Sequence, residues 1–109
     1  MNSSFTKSKP KIETALLPHS LEAEQAVLGA ILVDADALHR VVEYIEKSSF
    51  FYKRSHQLIY EAFLALFNKN ENIDTLTASQ YLKDQGSLDE VGGRTYLSAL
   101  TDHAPIAAN

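Results

Sequence analysis

Apolar positions recur every three or four residues along most of this chain, and almost nowhere every second residue. That spacing predicts helices rather than strands. The first runs over about Leu21 to Leu32, with Ser20 as cap and Glu22 and Glu24 in its first turn, where carboxylates favour the positive end of a helix. Leu21, Leu28, Ile31 and Leu32 share one face, with Val27 beside them. Glu22, Gln25 and Gly29 share the other, flanked by Ala23, Ala26 and Ala30. A glycine inside a helix costs about 1 kcal/mol relative to alanine. Among small residues it predicts a second backbone passing close by, so Gly29 is read as a packing feature.

The pattern continues in short segments. Asp34 or Asp36 caps a second helix reaching about Tyr44, with Leu38, Val41, Val42 and Ile45 inward. Phe50 to Tyr52 then plug the end of the core. Ser55 caps the longest helix, His56 to about Asn68, whose Ile59, Ala62, Phe63, Leu66 and Phe67 make one apolar stripe. After the polar "NKNENID", Thr75 caps a helix from Leu76 to Gln85, and Gly86 suits its left-handed end. Ser87 and Glu90 have capping-box spacing, stopped by Gly92 and Gly93. A last helix covers about Arg94 to Asp102, with Tyr96, Leu97 and Leu100 inward. The expected fold is all-α, a compact bundle of about five to six short helices, truncated before a further helical element. The expected organisation is a flexible tail at 1–17, a helical head domain at 18–104 and a helix start at 105–109.

Length and charge then narrow the function. At 109 residues, one domain is expected. With no cysteine, disulfides and thiolate–metal sites are unavailable, and a reducing cytoplasm is the natural compartment. No apolar run is long enough to span a membrane, and the N-terminus lacks the apolar segment of a secretory signal. Lys7, Lys9 and Lys11 are three of the ten basic residues, which leaves seven against fourteen acidic ones from Glu13 onward. An acidic body is a poor match for a phosphate backbone.

Candidate chemistry is sparse. No phosphate-binding loop, nucleophile elbow or zinc-protease helix motif occurs. His19, His39, His56 and His103 lie on four separate segments without ligand spacing, and capping or surface roles are expected of them. Glu22 and Glu24 point apart on a helix, so they serve as start signals rather than as an acid–base pair. The expectation is no catalytic, cofactor or metal site. Of the ten aromatics, Phe50, Phe63, Phe67 and Tyr60 are expected in the core, with Tyr44, Tyr52, Tyr81 and Tyr96 near helix ends, where tyrosine suits an interface.

Four segments, in order, carry a family likeness. "LPHSLEAEQAVLGAIL", "FFYKRSHQLIYEAFLALF", "YLKDQGSLDEVGG" with "YLSAL", and "PIAAN" resemble the N-terminal domain of bacterial replicative DNA helicases of the DnaB type, over about Leu17 to Asn109. The resemblance implies an all-helical collar domain of a hexameric, ATP-driven helicase, which docks primase and, in some systems, the helicase loader. It places ATP and Mg in a C-terminal motor domain that this sequence does not contain, and a subunit-pairing helical hairpin after "PIAAN". It also implies self-association and a bacterial cytoplasmic or plastid stromal location. Tyr96, in the GG-x-x-Y-L segment, matches a family position that could meet primase. The alternative from the residues is a small helical DNA-binding regulator, which the acidic body disfavours.

Overall fold

The computed structural model describes residues 20–105, so the tail expected at 1–17 and all but Pro105 of the helix start expected at 105–109 lie outside them. Among the described residues there are six α-helices and no strand. They are α1 (Leu21–Val33), α2 (Ala37–Val41), α3 (Arg54–Asn68), α4 (Thr75–Asp84), α5 (Leu88–Val91) and α6 (Gly93–Leu100). Two 3₁₀ turns, Ser48–Phe50 and Thr101–His103, complete the order.

Helix α3 is the central element, and its interior face follows from its spacing. Ile59, Tyr60, Ala62 and Phe63 are wholly buried, and Leu66 nearly so. Against them pack Leu28 and Ile31 of α1, Leu38 of α2, Ala78 and Leu82 of α4, and Leu97 and Leu100 of α6. Most of the predicted α1 face is therefore core, but Leu21, at its first residue, is exposed.

The caps differ from the expectation more than the helices do. Ser20 caps α1, its hydroxyl accepting from the Ala23 amide at 3.1 Å. Asp74, not Thr75, caps α4: its carboxylate accepts from Thr77 N at 2.8 Å while the Thr77 hydroxyl accepts from Asp74 N at 2.9 Å. Aspartate with its carboxylate at the cap position outcompetes the next residue for the same orphan amides. Gly86, at φ +75°, ends α4 in a Schellman arrangement, with Ser87 N donating to Leu82 O and Gly86 N to Lys83 O. The Ser87–Glu90 box does not form, since the four-residue α5 is closed by Gly92 at φ +106° before such a box matters. Helix α2 ends at Val41 rather than near Tyr44.

Gly29 meets its prediction. A Cβ built there would land on the Leu100 carbonyl oxygen, 3.0 Å from the carbonyl carbon and 3.2 Å from Ala104 N. The backbone of α1 therefore touches the backbone where α6 passes into the last 3₁₀ turn. Only a residue without a side chain permits that approach.

Candidate interaction site around Tyr96

At the other end of α1 the neighbours are held by polar groups. Glu24 projects from the first turn of α1 toward the start of α3. One carboxylate oxygen accepts from Tyr52 N at 2.6 Å, and the other lies 3.4 Å from Lys53 N and 2.7 Å from His56 Nδ1. Helix α3 has no side-chain cap of its own at Lys53. Its positive end is capped from another helix, by a carboxylate that also holds a histidine.

His56 is wholly buried and continues the chain of bonds, its Nε2 lying 2.6 Å from the Tyr96 hydroxyl. Gln25 Nε2 donates to the same hydroxyl at 3.3 Å. Donor accounting fixes a consistent order for a neutral imidazole. Nδ1–H donates to Glu24, Nε2 accepts from Tyr96 O–H, and the Tyr96 oxygen accepts from Gln25. The His56 and Tyr96 ring planes are near parallel, 14° apart, with centroids 5.9 Å apart. Four side chains from α1, α3 and α6 are thus linked around the buried His56, the other three being partly exposed, and such a network fixes how the helices sit together.

The expectation for several residues is corrected here. His56 is a core residue, not a cap or surface group. Ser55 does not cap α3: it lies inside the helix, and its buried hydroxyl has no hydrogen-bond partner. Glu24 is more than a helix-start signal. Phe50 is exposed rather than core, while Phe51 alone of the Phe50–Tyr52 cluster is buried, its ring 5.0 Å from that of Tyr60. The sequence did carry a signal for His56, which precedes Ile59, Tyr60 and Phe63 by three, four and seven positions on the buried stripe. Nothing local marks Glu24 as its partner 32 positions away.

Tyr96 itself is half-buried. Its hydroxyl points inward to His56 and Gln25, and Lys53 Nζ stands 5.5 Å from the ring centroid on α3's side. Gly92 makes room for it: a Cβ there would come within 2.8 Å of Tyr96 Cβ. A partner meeting Tyr96 therefore meets its ring and Lys53, because the hydroxyl is committed. Burial raises the Tyr60 phenol above its ordinary range, and that hydroxyl donates to Ile45 O at 2.6 Å. Among the described residues no group of three His, Asp or Glu side chains is placed to hold a metal, and no helix is long and apolar enough to cross a membrane.

This architecture defines a class: a small all-helical module whose ordered polar groups hold helices together. The family described as "DnaB-like helicase N terminal domain" matches residues 16–109. The chain is 46% identical over 92 residues to "Replicative DNA helicase DnaB" of Treponema pallidum, covering 84% of this chain and 21% of that protein. It is 43% identical over 94 residues to "Replicative DNA helicase DnaC" of Bacillus subtilis, covering 86% of this chain and 20% of that one. The fold matches the crystal structure of the N-terminal domain of DnaB helicase from Mycobacterium tuberculosis with a TM-score of 0.79 at 39% identity, over 84% of this chain and 63% of that one. The chain belongs to the DnaB-like helicase N-terminal domain family. It spans about a fifth of the length of the two curated relatives described.

Proposed function

We propose that this chain is the interaction and assembly head of a replicative DNA helicase, docking primase, with the loader as a second partner, and contributing to a hexameric collar. On this reading ATP, Mg and unwinding belong to the motor domain of the whole helicase, and the head works in the cytoplasm or plastid stroma without gripping DNA itself. The observation that carries it is the partly exposed Tyr96, tied through its hydroxyl to the buried His56 in a domain of this family. Such a ring offers apolar area at little entropic cost on binding, because its hydroxyl is already fixed.

The test is a calorimetric titration of the chain with the helicase-binding domain of its host's primase, with fork DNA in parallel. Saturable binding to primase and none to DNA is expected. Tyr96→Phe, which keeps the ring, retains primase binding, and Tyr96→Ala loses it. DNA binding that falls steeply with salt, without primase binding, would overturn the proposal in favour of a DNA-binding regulator.

A further inference from the structure

Six large apolar side chains stand exposed among the described residues, and three of them lie within nine positions: Tyr44, Phe50 and Tyr52. These three are aromatic, while the others, Leu21, Val33 and Leu76, are scattered aliphatics. Scattered exposed apolar residues are ordinary, but a local cluster of aromatics is the composition of an interface.

The segment that carries Tyr44 and Phe50 is anchored. The Tyr60 hydroxyl holds Ile45 O at 2.6 Å, and the Ser48 hydroxyl donates to Glu61 at 2.8 Å. Phe51 is buried beneath. Tyr44 is 78% exposed and Phe50 47% exposed, although Ile45, Ser48 and Phe51 in the same segment are held to α3. Both rings therefore stand out from a segment fixed to the core.

The charges beside them are mainly acidic. Glu43, Glu46 and Glu61 are exposed here against Lys47, with Arg40 one turn before the segment, while Lys53 and Arg54 after it are set against Tyr96 and Glu90. An aromatic face attracts a cation through its quadrupole, and a carboxylate attracts it by charge. Both features select the same ligand chemistry, and they repel phosphate. A second copy of this body brings carboxylates against carboxylates, so like charge opposes self-pairing through this face. We infer that residues 43–50, with Glu61, form a docking surface for a basic, apolar peptide segment of a protein partner. The surface is independent of the Tyr96 reading and stands or falls without it.

The probe is an amphipathic Leu/Lys helical peptide, with a Leu/Glu peptide of equal apolar content as its counterpart, titrated into the isotopically labelled chain and followed by amide shifts. Saturable shifts confined to residues 43–50 and the neighbourhood of Glu61 are expected from the basic peptide alone. Glu43→Lys with Glu46→Lys, and separately Tyr44→Ser, weaken that binding about tenfold without moving the melting temperature. Leu76→Ser, on another exposed apolar residue, leaves it unchanged. Shifts spread over the whole body, equal binding of the acidic peptide, or indifference to these substitutions would overturn the inference. So would sedimentation showing a dimer that Tyr44→Ser dissolves. If Lys7→Gln, Lys9→Gln and Lys11→Gln together shift the 43–50 amides without any peptide, the chain's own tail is the occupant and the partner reading fails.

Discussion

The two ends of α1 hold their neighbours by opposite means. Near its N-terminus, Glu24 and Gln25 reach outward across the space between helices and meet His56 and Tyr96. Near its C-terminus, Gly29 withdraws, and the Leu100 and Ala104 backbone comes against it directly. A polar bridge tolerates distance but demands that every partner be present. A backbone contact demands only that nothing be added. Removal should therefore damage the first end, and addition the second.

The largest effect is expected at the glycine. Gly29→Ala puts a methyl group on the Leu100 carbonyl, so α1 and the end of α6 must separate. A loss of about 3 kcal/mol or more in urea unfolding is expected, at the upper end of overpacking costs. An alanine variant as stable as the parent would show that the two backbones can part freely, and the contrast between the ends would fail.

Glu24→Ala follows. It strips the Tyr52 and Lys53 amides and His56 Nδ1 of their acceptor, with an expected cost of about 2–3 kcal/mol, measured by the same unfolding curve. Glu24→Gln recovers part of that loss, because its carbonyl oxygen still accepts one bond. Tyr96→Phe leaves the ring but orphans the buried His56 Nε2, for about 1–2 kcal/mol. If Tyr96→Phe is neutral while Glu24→Ala is not, the network acts as a cap on α3 rather than as a bridge to α6.

Tyr60→Phe is smaller, about 1 kcal/mol at neutral pH, for the lost bond to Ile45 O. Its sharper readout is alkaline. The folded phenol is raised above the ordinary value of 10.0 by burial, so its contribution is complete below pH 10 and is lost as pH rises through the folded value. The phenylalanine variant should lack that part of the alkaline decline. Ser55→Ala is expected to be neutral or to stabilise by up to about 1 kcal/mol, since the buried hydroxyl bonds to nothing and alanine is the better helix former. A clear loss at Ser55 would mean that its hydroxyl has a partner in solution.

Helix α3 was legible because its apolar stripe is long, and Gly29 because a costly residue among small ones has few explanations. Caps were less legible: Asp74 and Thr75 are both good candidates, and only the geometry of the turn chooses between them. Phe50 and Phe51 are chemically identical neighbours, yet one faces solvent and the other the core. A 3₁₀ turn at Ser48–Phe50 sets that outcome, and residue type cannot.

By itself, the sequence determined the helical class, the place of most helices, the acidic body and the glycine contact. These follow from spacing, charge count and local backbone freedom, which are properties of neighbours along the chain. Only the tertiary structure decided that Glu24 caps α3, that His56 is buried, that the Tyr96 hydroxyl faces inward and that Tyr44 and Phe50 face out. Those facts depend on which groups meet across separations of 28, 32, 40 and 71 positions in the polar network, and on the anchoring of 45 and 48 to α3. A buried hydrogen bond is selected by the partner it finds in space, and local pattern does not encode that partner.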